Sequence, residues 1–344
     1  MRKKNKLHTP LSETDVIANL ISWIDNGYKA ALATVISTWG SSPCPPGSHL
    51  AIREDGALVG SVSAGCVESA VIHEAMKVIE GAPPQVCEYG VSGELAWEVG
   101  LACGGEIKIL IRSINDSIDI RRESQLRVRD GISSCLATRI SDATSILIGE
   151  GIKYEKSEMP NELRELAFKA INENLSFISL IGKQTFFLES ITPPHSLIII
   201  GAVHIAQALA PMARIVGFHV IVIDPRKSFA TSERFPGIEI RDDWPDQAIA
   251  DLSINNKTAF VLLTHDPKID DQILKFALES PAFYVGALGS SRTNEKRLKR
   301  LKEMGLNKSA LKLLHGPIGL DIGSKLPAEI AIAILAEVIQ KIRQ

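Results

Sequence analysis

Aromatic residues make up only 5% of this 344-residue chain, so its core must be built from aliphatic side chains. An excess of either charge is also missing. Lys and Arg number 38 against 40 Asp and Glu, a formal net charge of −2. That balance argues against a general nucleic-acid binder, which presents a basic domain or stripe. Long apolar runs are lacking. The longest are Leu197–Ile200 and short stretches within residues 330–339, whereas a bilayer span needs about 18 residues. The basic stretch Met1–Lys6 is not followed by an apolar segment, so no secretory signal and no membrane association are expected. The expected location is the cytoplasm, with reduced thiols. Five cysteines without a C-x-x-C pair point away from a disulfide framework and from a structural zinc site.

What is present reads as roughly two domains of about 150 residues each. Val16, Ile17, Leu20, Ile21 and Ile24 fall at helical spacing, with Ser12 as a cap and Gly27 as a stop. A strand over 30–36 leads into the proline- and glycine-rich loop Thr38–Gly47. Strands over 49–53 and 57–63 are joined around Glu54-Asp55-Gly56, and a helix over 67–80 follows. Strands over 85–89 and 106–112 flank a glycine-dotted stretch that ends in Cys103-Gly104-Gly105. Between 116 and 189 the patterning weakens. It gives helices over 120–129 and 162–174 and strands over 134–140, 145–149, 177–181 and 185–189. Leu32–Ser37 is echoed by Leu136–Ser141, each after a helix, so this middle segment has the marks of a partial repeat. Thr192-Pro193-Pro194-His195 is the expected boundary. Beyond it strands alternate with helices, which means βαβ units. The fold class is α/β. A mixed α/β domain over 1–115 and a middle α/β segment over 116–190 precede a Rossmann-like doubly wound parallel sheet over 193–344.

The last domain opens with Gly201-Ala202-Val203-His204-Ile205-Ala206, between a strand and a helix, the context of a dinucleotide fingerprint. Val203 stands where the second glycine would let backbone approach a pyrophosphate, and its branched side chain obstructs that approach. Asp224, at a strand end, is placed to meet a ribose hydroxyl, and Arg226 a phosphate. Ligands bind above the strand ends of such sheets. The segments expected to converge there are His204, Asp224–Arg226, Thr264-His265-Asp266 and Gly286–Arg292. The last includes Gly289, Ser290 and Arg292, and suits an anion at a helix N-terminus. It reads equally well as a tight turn capped by Ser291. Gly316–Gly323, with Asp321, is expected to fold over the same crevice.

In the first domain Cys66 is expected to open a helix, where the N-terminus favours a thiolate. Cys103 precedes two glycines. Both are candidates for sulfur or metal contact, against the alternative that free cysteines are small buried hydrophobes. Cys44, Cys87 and Cys135 are expected to be inert, His49 structural, and His73 and Glu74 surface or packing residues.

Taken together these motifs resemble the XdhC/CoxI family of xanthine dehydrogenase accessory proteins. The resemblance is carried by Thr34–Pro43, Gly60–Glu68, Cys103–Gly105, Gly201–Ala206, Asp224–Arg226, Leu263–Pro267, Gly286–Ser290 and Pro317–Gly323; residues 116–190 match poorly. It implies a maturation factor rather than a catalyst. Such a protein binds the molybdenum cofactor (molybdopterin) as cargo, assists its sulfuration with a cysteine desulfurase, and helps insert it into a xanthine dehydrogenase-type apoenzyme. It also implies a homodimer. Where the family often has glycine, this chain has Ala64 and Val203. Two other readings stand beside it. One is an NAD(P)-dependent oxidoreductase with His204 or His265 as acid–base group. The other is a protein adaptor with a vestigial Rossmann shell.

Overall fold

A computed structural model describes residues 16–90, 105–114, 118–152 and 160–344. They form two compact units, divided between Pro193 and Pro194.

The first unit contains two antiparallel sheets. One holds β1 (Ala30–Trp39), β2 (His49–Arg53), β3 (Leu58–Gly60), β4 (Gln85–Tyr89) and β5 (Glu106–Ser113), in the order β3-β2-β1-β5-β4. The other holds β6 (Ser134–Arg139), β7 (Ser145–Gly149), β8 (Phe177–Ile181) and β9 (Gln184–Ile191), in the order β7-β6-β9-β8. Helices α1 (Val16–Asp25) and α2 (Glu68–Ile79) go with the first sheet, and α3 (Ile118–Arg129) and α4 (Asn161–Glu173) with the second. Without the edge strand β3, both halves run helix, strand, strand, helix, strand, strand, in one spatial order. The period-2 alternation of β1 divides its side chains. Ala31, Ala33 and Val35 join the core beneath α2, while Thr34 is buried on the opposite face.

That opposite face carries a polar layer in which the two halves correspond. Arg112 lies across from Leu32, and Glu189 across from Leu136, in the same register. Likewise Thr34 pairs with His49, and Thr138 with Ser145. The contacts then cross between halves. Glu189 accepts from His49 Nε2 at 3.0 Å, and Arg112 donates to Ser145 Oγ at 2.6 Å. Arg121 of α3 donates to both oxygens of Glu189, each at 2.8 Å. Burial works against the charge on Glu189, but Arg121 and His49 outweigh it and hold the carboxyl below the ordinary range.

The second unit is a six-stranded parallel sheet of β10 (Ser196–Ile200), β11 (His219–Ile223), β12 (Glu239–Arg241), β13 (Thr258–Leu262), β14 (Tyr284–Ala287) and β15 (Leu314–His315). Its order is β12-β11-β10-β13-β14-β15, so the chain reverses direction across the sheet between β10 and β13. Leu197 and Ile199 face a core with α5 (His204–Ile215) and α10 (Pro327–Arg343). Ile198 and Ile200 face the other core, with α6 (Pro245–Ala250), α7 (Pro267–Glu279) and α8 (Ser291–Glu303). Burial on both faces explains why these strands are continuous apolar runs. Each such fully buried side chain contributes about 1.5–3 kcal/mol. The short elements β12, α6, β15 and α9 (Lys308–Leu311) carry too little periodicity to be read from sequence.

The strand after α7 was expected to end at Val285, placing Gly286 in the turn. It runs on to Ala287, and Gly286 pairs with Val261 on one side and His315 on the other. A side chain at Gly286 would come within 2.6 Å of Ile318 and of the Tyr284 hydroxyl. Its glycine serves the packing of the 316–320 loop and does not cradle an anion.

Candidate functional site

In the first unit the segment between β3 and α2 is organised by one carboxylate. Glu68 accepts from Ser61 Oγ at 2.7 Å, from the amides of Val62, Ser63 and Gly65 at 3.3, 2.9 and 2.8 Å, and from Ser63 Oγ. The two hydroxyls in turn accept from the amides of Ala64 and Val67, each at 2.9 Å. Burial alone would raise the Glu68 carboxyl, but the Ser63 and Ser61 hydroxyls and the Ser63 amide outweigh it and hold it at about 2. Closing the loop this tightly forces left-handed backbone, with Ala64 at φ 56° and Gly65 at 110°. Val62 and Val67 are buried as anchors, and Cys66 is exposed between them. Cys66 therefore stands one residue before the helix cap Val67 and not within the first turn. Cys103 and Gly104 lie outside the described residues. Burial pushes up the thiols of Cys87 and Cys135.

In the second unit the ends of β10, β11, β13 and β14 bring most of the expected residues to one edge of the sheet. Gly201 takes φ 108° and lies close enough to Thr264 that a side chain would meet it at 2.9 Å. His204 and Arg226 are exposed, and so are His265 and Asp266. His265 sits in left-handed backbone (φ 61°), and the Asp266 side chain caps α7 by accepting from Lys268 N at 2.9 Å. Ser290 caps α8 through Thr293 N, where Ser291 had been the expected cap, and Arg292 is exposed in the first turn. Asp321 is exposed and approaches only its own turn, at Gly323 N.

Two residues that sequence reasoning missed lie beneath this edge. Arg297 is 2% exposed and donates to Leu288 O at 2.8 Å, with Nε and Nη1 unpartnered. Asp270 accepts from the Thr264 hydroxyl at 2.5 Å, and burial pushes its carboxyl up. Neither breaks the polar pattern of its helix, so no sequence signal marks them. A third, Glu337, ties the 316–320 loop to α10. It accepts from Tyr284 Oη, His315 Nδ1 and Gly319 N at 2.5, 2.8 and 2.7 Å.

The same edge does not fit a dinucleotide. Asp224 is fully buried, and its two oxygens accept from Ala202 N, Arg226 N, Arg226 Nε and Arg226 Nη2 at 2.7–3.0 Å. The acid that would hold a ribose is saturated by the protein's own donors. Val203 caps α5 in extended backbone, with its side chain packed against the core.

Comparison with known proteins decides the family. A model described as the XdhC and CoxI family matches residues 23–90, and one described as the XdhC Rossmann domain matches residues 197–338. The chain belongs to the XdhC and CoxI family. Among XdhC relatives, a probable xanthine dehydrogenase subunit from Bacillus subtilis is 28% identical over 327 residues, covering 92% of this chain and 94% of the relative. The "Molybdenum cofactor insertion chaperone PaoD" of Escherichia coli is 26% identical over 313 residues, covering 91% and 83%. A crystal structure from Bacillus halodurans, described as a xanthine dehydrogenase, superposes with a TM-score of 0.76 at 26% identity over 95% of both chains. Among the described residues of this XdhC protein, no group of three or more His, Cys, Asp or Glu could hold a metal ion, and no helix is long and apolar enough to cross a membrane.

Proposed function

We propose that this chain is an accessory protein that carries the molybdenum cofactor and helps insert it into a xanthine dehydrogenase-type apoenzyme. The names of its relatives support the general role, and one observation in the chain itself carries the chemistry. Cys66 is presented to solvent by a loop that Glu68 preorganises. A soft thiol suits contact with the dithiolene-bound metal, or transfer of sulfur from a cysteine desulfurase. The anionic end of the molybdopterin cargo is assigned to the edge of the second unit, beside Ser290 and Arg292, where the N-terminus of α8 favours a phosphate. His204, Arg226 and His265 complete the exposed polar rim of that edge. Cys103 is assigned a supporting role beside Cys66. The working form is a cytoplasmic homodimer.

The test is mass analysis of the protein purified anaerobically from a molybdopterin-producing host. Wild type retains pterin, and Cys66→Ser folds normally but fails to raise the activity of a co-expressed client. Wild type free of pterin, or Cys66→Ser with full maturation activity, overturns the proposal.

A further inference from the structure

The polar layer of the first unit is out of charge balance. Among its described residues the buried charged side chains are Arg112, Arg121, Arg127 and Glu189, three cations against one anion. Each of the three arginines keeps a buried Nε without a partner. Arg112 and Arg127 otherwise rely on neutral acceptors, the carbonyls of Ala143 and Glu150 and the Ser145 hydroxyl. Burial and then the like charge of Arg121 pull Arg112 below the ordinary arginine range.

Two of these arginines come from the inward stripe of α3. Its buried positions are Ile118, Arg121, Ser124 and Arg127, while Leu126 is 51% exposed. Packing does not account for that inversion. Burying an ion costs several kcal/mol, and apolar replacement of buried ion pairs is commonly neutral or stabilising. Unpaired buried donors call for an explanation such as an ordered water or ion.

A cleft of about 300 Å³ opens over this stripe. Arg121, Gln125 and Val128 line it at successive turns of α3, facing Ile17, His49 and Glu189. Its volume is at the lower end for small-molecule sites, roughly 300 Å³. Glu189 cannot balance the layer alone, because Arg121 and His49 already occupy it.

We propose that this cleft binds a small oxyanion, the phosphate or carboxylate group of a small molecule, between Arg121 and Gln125. The ligand supplies the negative charge that the described layer lacks. A guanidinium presents donors matched to oxyanions, and Gln125, one turn on, lies on the same helix face. The site lies in the other unit from the Ser290–Arg292 edge and does not rest on the cofactor reading.

Two measurements on the full chain test it. Crystals soaked in selenate, an anomalous-scattering oxyanion, give a peak in the cleft beside Arg121 and Gln125. In solution, phosphate and succinate are titrated separately at matched ionic strength, and the one that binds identifies the source of the oxyanion. Gln125→Leu, on the cleft wall, and Arg121→Gln weaken that binding about tenfold, as loss of one charge-assisted contact requires. The soak needs no variant to fold. A selenate peak confined to the N-terminus of α8, or none at all, overturns the proposal, as does equal affinity in wild type and Gln125→Leu.

Discussion

At the scale of single residues, the backbone at Ala64 explains a departure from the family pattern. Left-handed backbone costs an L-residue roughly 1–2 kcal/mol, which glycine avoids. Glycine loses more entropy on folding, and that returns part of the gain. Ala64→Gly is therefore expected to leave stability unchanged or raise it by up to about 1 kcal/mol. A urea midpoint below wild type would contradict this account. The neighbouring carboxylate sets a pH limit. The folded Glu68 carboxyl lies at about 2, below its ordinary value of about 4.3. Its contribution is complete above that ordinary value and is lost as pH falls toward about 2. Amide exchange at Ser63 and Gly65 should speed up on going from pH 5 to pH 3, beyond the intrinsic change. In Glu68→Gln exchange should be faster at both pH values, with the added acid sensitivity gone.

At the scale of elements, β14 and the 316–320 loop depend on each other. Gly286→Ala places a methyl within 2.6 Å of Ile318 and Tyr284 Oη. The cost expected for overpacking is about 1–3 kcal/mol. The loop would move before the strand, since β14 is hydrogen-bonded on both sides. Chemical denaturation gives the cost, and a crystal structure of the variant gives the displaced segment; an unchanged midpoint removes the argument. This strand also shows where sequence reading fails. Tyr284-Val285-Gly286-Ala287 contains a glycine that resembles a turn and is in fact a close-packing position. The helix expected over 67–80 and the strand over 177–181 are nearly the observed elements, because apolar spacing marked them. α3 was recognised as a helix, but the direction of its arginines was not legible. Three-residue spacing of Arg121, Ser124 and Arg127 looks the same in sequence whether the face is solvated or buried.

At the scale of the molecule, the two units differ in how they are stabilised, and this gives the last prediction. The second unit has two apolar cores, both drawn wholly from residues 194–344 and packed on either side of one parallel sheet. Sequence alternation of strand and helix made that architecture readable, since both sheet faces demand apolar side chains. The first unit joins its sheets through a three-residue apolar cluster, Ile36, Leu110 and Phe187, together with the Arg112–Glu189 polar layer. Such a junction leaves little hydrophobic pattern, which is why residues 116–190 were hard to read. Because its apolar cores need nothing from the other unit, the fragment 194–344 should fold alone. It should unfold in a single cooperative transition, with near-UV circular dichroism of packed side chains. Its stability should also be insensitive to phosphate or succinate at concentrations that occupy the cleft over α3. A fragment with helical signal but no cooperative transition would mean that the first unit supplies part of its core.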